Sequence, residues 1–152
     1  TPELVSTYPG AKFIHIHRNP VKSIGSLSSL TMSVRSGLSN HANAHKIGAA
    51  VLDFWQYAIE KSISDRAKHL TSEQIIDIDY RDFIKNPLEQ IKHIYQHFNF
   101  DLSQATLNEM QNFIDNQSKD DHKPHLYDLK DFGLEETKVQ EAFSNYNRIH
   151  NF

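Results

Sequence analysis

Lys12-Phe13-Ile14-His15-Ile16-His17-Arg18-Asn19-Pro20, followed by the serine-rich run from Val21 to Leu30, decides how the rest of the chain is read. Phe13, Ile14 and Ile16 make a short β-prone core, with Phe13, His15 and His17 on one face and Ile14 and Ile16 on the other. Asn19-Pro20 is a helix start, Asn as N-cap and Pro at the first helical position, where its missing N–H costs nothing. A strand end, a basic residue and a helix N-terminus together suit an anion, because backbone N–H groups and the planar guanidinium of Arg18 converge there. Ser23 and Ser26 lie one turn apart on one helix face, and either hydroxyl, or that of Ser29, can complete such a site. By themselves these residues read as strand, Arg, helix and a bound anion.

Outward from that stretch, residues Thr1 to Gly10 are a lead-in that ends in the Pro9-Gly10 turn. A helix is predicted from Pro20 to about Arg35, with Ile24, Leu27 and Leu30 or Val34 as its apolar stripe and a break at Ser36–Asn40 around Gly37. A long helix follows from about Ala42 to His69. Its Ile47, Ala50 or Val51, Phe54, Ala58 and Ile59 recur at helical spacing beside Trp55, and that stripe reads as core. Gln74 to Tyr80 is the second strand, with Ile76, Ile78 and Tyr80 on one face and Asp77 and Asp79 on the other. Two strands joined through a long helix predict a parallel, right-handed crossover. The two acids would then face His15 or His17 across the pair.

Asn86-Pro87-Leu88-Glu89 repeats the Asn-Pro start with an acid at the capping-box position, and Leu88, Ile91, Tyr95 and Phe98 line its helix. Ser103 caps a further helix carrying Leu107, Met110 and Ile114 inward, and Asn116 to Pro124 reads as loop. One last helix is expected from Glu135 to about Arg148 through Val139, Phe143 and Tyr146. Two strands are too few for an open α/β sheet, which usually carries about four to six. The expected fold is therefore an incomplete α/β domain, mostly helical with two short parallel strands, whose missing strands precede Thr1 and whose sheet edge is left open.

The 152 residues, 38% hydrophobic and 23% charged, suit one soluble domain. A net charge of −3 argues against a general nucleic-acid surface, although a nucleotide needs only local positive charge. The absence of cysteine excludes disulfides and thiolate metal sites and fits a reducing, cytoplasmic setting. No apolar run approaches the length of a membrane span.

Three stretches, in order, resemble the sulfotransferase family that uses 3′-phosphoadenosine 5′-phosphosulfate (PAPS). Arg18-Asn19-Pro20-Val21-Lys22-Ser23-Ile24-Gly25-Ser26 is similar to its 3′-phosphate motif, an Arg followed eight residues later by a Ser on a strand-turn-helix. Ile75 to Phe83 followed by Asn86-Pro87 resembles its strand-Tyr-acidic segment, and His125 to Leu134 looks like the H-x-Y-x-L-x-x-F-G-L run of the bacterial-type branch. The resemblance implies a P-loop-like three-layer fold of which 1–152 is the C-terminal part of a single domain. It implies that Arg18 and Ser26 hold the 3′-phosphate, that Tyr80 flanks the nucleoside, and that Lys123 or His125 adds positive charge. The Arg-Lys-Gly of the cytosolic branch is absent, so which of these two basic residues serves stays open.

The implied reaction moves a sulfuryl group from PAPS to a hydroxyl or amine of a small molecule, glycan or peptide. The family's 5′-phosphosulfate loop and its base have no counterpart here: no G-x-x-x-x-G-K-[ST] occurs, and the chain alone is expected to be inactive. Set against these roles are ordinary ones: a solvated Arg and Lys, and a tyrosine that closes the sheet. The rival functions are a nucleotide-binding module without transfer chemistry and a helical interaction domain. Ten histidines raise the question of a metal, but no spacing supplies three or four ligands, and none is expected.

Overall fold

The computed structural model describes residues 2–117 and 127–152. In chain order they form α1 (Pro2–Thr7), β1 (Phe13–His17), α2 (Pro20–Leu38), α3 (Ala44–His69), β2 (Ile75–Asp79), α4 (Tyr80–Lys85), α5 (Pro87–His97), α6 (Gln104–Gln117), a 3₁₀ turn (Leu129–Phe132), α7 (Glu136–Ala142) and α8 (Ser144–His150). The described residues divide into two compact units, one within Thr1–His17 and Asp65–Pro124, the other within Arg18–Ser64 and His125–Phe152.

The first unit contains the sheet. β1 and β2 pair in parallel with Phe13 opposite Ile75 and His17 opposite Asp79, as the helical crossover predicts. One face buries Ile76 and Ile78 against Ile94 and Phe98 of the α5 region, with Phe83 of α4 packed beside them. On that same face Ile14 and Ile16 of β1 stay 50% and 46% exposed, so its apolar side is only half covered. Lys12 anchors the start of β1 by donating to the Glu73 carbonyl at 2.9 Å, its ammonium lying over the Phe98 ring.

The second unit is helical. Ile24 of α2, Ile47, Val51 and Leu52 of α3, and Phe132, Leu134, Val139, Phe143 and Tyr146 of the C-terminal segment share one core. Burying side chains of this size contributes about 1.5–3 kcal/mol each. The inward side of α2 is Ile24, Gly25 and Ser28, while Leu30 and Val34 are exposed, so its stripe is narrower than the apolar spacing suggests.

Several boundaries depart from expectation. α2 continues through Gly37 to Leu38, because a single glycine weakens a helix without ending it. Phe54 is 61% exposed and Trp55 sits at its exposed rim, so α3 buries Ile47, Val51 and Leu52 instead of the full aromatic stripe. The last helix breaks in two at Phe143, whose side chain is drawn into the core. β2 stops at Asp79, and Tyr80 opens a short helix rather than closing the strand: the Asp79 carboxylate accepts from the Arg81 amide at 2.7 Å and caps α4. Asn86 precedes Pro87 as expected but makes no side-chain cap bond. Ser103 does cap, accepting from the Thr106 amide at 3.1 Å. Among the described residues, no helix is long and apolar enough to cross a membrane.

Candidate functional site

The Arg18–Ser26 segment begins where β1 gives way to α2. The chain leaves β1 at His17, passes Arg18, which is exposed, and enters α2 at Pro20. Asn19 caps that helix, its Oδ1 accepting from the Val21 amide at 2.9 Å. Pro20 has no N–H and Val21 is spent on the cap, so the first turn offers few free amides. An anion there depends on side chains.

The serines divide by use. Ser23 Oγ donates to the Asn19 carbonyl at 3.2 Å, so its proton is turned back into the helix. Ser26, one turn further on, is partly buried. The two hydroxyls therefore differ in their local use, that of Ser23 being tied to the backbone of its own helix. Arg18 and Ser26 belong to the second unit and Tyr80 to the first, where it is partly buried at the start of α4. Lys123 and His125 lie outside the described residues.

The second turn of α2 has a neighbour that no local pattern shows. Tyr127 Oη donates to the Lys22 carbonyl at 2.8 Å. Its ring lies against Gly25, where a Cβ would stand 2.5 Å from Tyr127 Cε2. The cleft beside it, lined by Lys22, Lys130, Asp128, Glu135 and Glu136, carries more acid than base and does not suit a polyanion.

The first unit holds a separate polar cluster. His17, 2% exposed, meets Asp77 at 2.7 Å through Nε2, which must be the donor because an ionised carboxylate only accepts. Arg66, in the last turn of α3, reaches both Asp77 oxygens at 2.8 and 2.7 Å. Burial works to raise the Asp77 carboxyl. The His17 and Arg66 hydrogen bonds, with their charges, outweigh it and hold the group well below the usual carboxylate range. His15, His17 and Asp77 bring potential ligand atoms within 4.8 Å of one another. Arg66 already covers both carboxylate oxygens, so the cluster works as a polar ladder joining β1, β2 and the end of α3. The expected pairing of the acid face with the histidine face is found at Asp77. Arg66 carried no signal in the sequence, since its partner lies across a helix–sheet contact.

The profile of a family described as the sulfotransferase family matches residues 1–104. Among solved structures, sulfotransferase STF1 from Mycobacterium tuberculosis H37Rv superposes with a TM-score of 0.80 and 32% identity, over 95% of this chain and 36% of that one. Sulfotransferase STF9 from Mycobacterium avium gives 0.82 and 22% identity, over 97% of this chain and 38% of that one, a likeness of fold. The chain thus spans little more than a third of either protein. No curated protein gives a significant match.

Proposed function

This chain belongs to the sulfotransferase family, and from that premise we propose that it forms part of an enzyme moving a sulfuryl group from PAPS to a hydroxyl or amine. Its share is the 3′-phosphate and nucleoside side of the donor site. Arg18 supplies a fork of donors to the 3′-phosphate, and Ser26 a hydroxyl two turns into α2. Tyr80 flanks the nucleoside, and Lys123 or His125 adds charge. The acceptor is a small molecule, glycan or peptide.

Sulfuryl transfer shares the physics of phosphoryl transfer, positioning plus stabilisation of spread negative charge, so a grip on the nucleotide far from the reacting sulfur still serves the rate. No residue among the 152 is assigned to the 5′-phosphosulfate loop or to the base, and the isolated chain should bind nucleotide without turnover.

The observation that supports this reading is the capped start of α2 directly after Arg18, with the Ser23 hydroxyl donating back to the Asn19 carbonyl. Calorimetric titration of the chain with adenosine 3′,5′-bisphosphate tests it. Binding should exceed that of adenosine 5′-phosphate, and Arg18→Ala should cost about 1.5–3 kcal/mol, the range for a charged hydrogen bond. Equal affinity for the two nucleotides, or an Arg18→Ala protein that binds like the parent, would remove the 3′-phosphate assignment. Turnover of PAPS by the chain alone would show that the missing parts are misassigned.

A further inference from the structure

The turn of α2 that carries Ser26 is held from outside by a residue 105 positions away from its contact. The Lys22 carbonyl that accepts the Tyr127 hydroxyl is also, by α-helical geometry, the acceptor of the Ser26 amide. Tyr127 therefore bonds to the backbone group that fixes where Ser26 sits. Its ring gets that close only because residue 25 is glycine: a Cβ there would lie 2.5 Å from Cε2 and 2.7 Å from Cδ2, distances no side chain tolerates.

The segment behind Tyr127 is anchored in turn. A Cβ on Gly48 of α3 would stand 2.2 Å from the Phe132 carbonyl oxygen, and Gly133, at φ +65°, turns the chain against His45. Phe132 and Leu134 are buried in the helical core. Residues 127–134 thus form a strap fastened on α3 that presses on α2 at the second turn of the motif.

We propose that Tyr127 is a positioning residue for the 3′-phosphate subsite, setting the height and rotation of the turn that presents Ser26 without itself touching the nucleotide. This rests on the assignment of Arg18 and Ser26 above. The hydroxyl acts through one serine that meets one phosphate, so its loss should be felt by a 3′-phosphorylated nucleotide and not by one lacking that group. A merely structural tyrosine would weaken both or neither.

The parent, Tyr127→Phe, Ser26→Ala and the double variant are titrated with adenosine 3′,5′-bisphosphate and with adenosine 5′-phosphate. Tyr127→Phe should weaken the bisphosphate about fivefold, the worth of one neutral hydrogen bond, and leave the monophosphate within about twofold. In the Ser26→Ala background the same change should add nothing, as coupled positions require. Gly25→Ala, which pushes the ring away, should repeat the selectivity loss more strongly if Tyr127→Phe proves too poorly folded to titrate. Unchanged bisphosphate affinity, equal losses for both nucleotides, or a full effect without the Ser26 hydroxyl would overturn the proposal. Arg18→Ala separates the two ideas: if it weakens the bisphosphate while Tyr127→Phe does not, only the role of Tyr127 falls. If Arg18→Ala is silent, the phosphate site falls and Tyr127 with it.

Discussion

The carbonyl oxygen of Phe132 occupies the space in which a side chain on Gly48 would begin: a Cβ there would stand 2.2 Å from it. The contact is to backbone, which cannot swing aside as the tip of a flexible side chain can. Gly48→Ala should therefore destabilise the helical unit by about 1–3 kcal/mol, in the range for overpacking. Gly37, also helical, has open space around it, and Gly37→Ala should stabilise by about 0.5–1 kcal/mol through backbone entropy alone. Thermal melts of the two variants should move in opposite directions, and a shared direction would contradict the packing described here.

The Asp77 carboxyl is depressed in the fold, so in the unfolded chain it takes up a proton first as pH falls. Its contribution to stability is complete above the ordinary aspartate value of about 3.9 and drains away below it, as pH falls toward the folded-state value. Urea unfolding between pH 3 and about 6 should show stability declining on the acid side, with Asp77→Asn flattening that decline. At neutral pH the same substitution should cost about 1–3 kcal/mol by weakening the bonds to His17 and Arg66. An unchanged acid limb in Asp77→Asn would mean that other carboxyls govern it.

The resemblance gives the phosphate to Ser26, and in the structure the Ser23 hydroxyl is engaged with the Asn19 carbonyl. Ser23→Ala should leave adenosine 3′,5′-bisphosphate binding within about twofold, since its hydroxyl is committed to the Asn19 carbonyl. Ser26→Ala should lose about 1.5–3 kcal/mol if it donates to a phosphate. Reversal of that order in calorimetry would move the anion site one turn toward the helix start.

The two Asn-Pro helix starts also separate. Asn19 caps α2 at 2.9 Å, while Asn86 makes no side-chain cap bond to α5. Asn19→Ala should cost about 1 kcal/mol in a urea melt, and Asn86→Ala no more than a few tenths. Equal losses would mean that Asn86 caps α5 in solution.

Features that depend on neighbours in the chain were readable. The alternation around Phe13–His17 and Ile75–Asp79 follows from the pleat of a strand, and the parallel pairing from the length of what joins them. Parity alone set Asp77 on the face of His17. The break at Phe143 was not readable, for no glycine or proline marks it and the demand comes from the core around Val139 and Tyr146. Nor was the start of α4 at Tyr80, where one aspartate ends a strand by capping a helix.

From the sequence alone came the strand, the Arg18–Asn19–Pro20 junction, the two candidate serines and the likeness to sulfotransferases, because each rests on residues a few positions apart or on a linear pattern. Only the tertiary structure brought Arg66 to Asp77 and laid Tyr127 on Gly25. Those outcomes depend on which backbone approaches which, and a glycine in a helix reads as a weakness until the ring that needs its missing Cβ is in place.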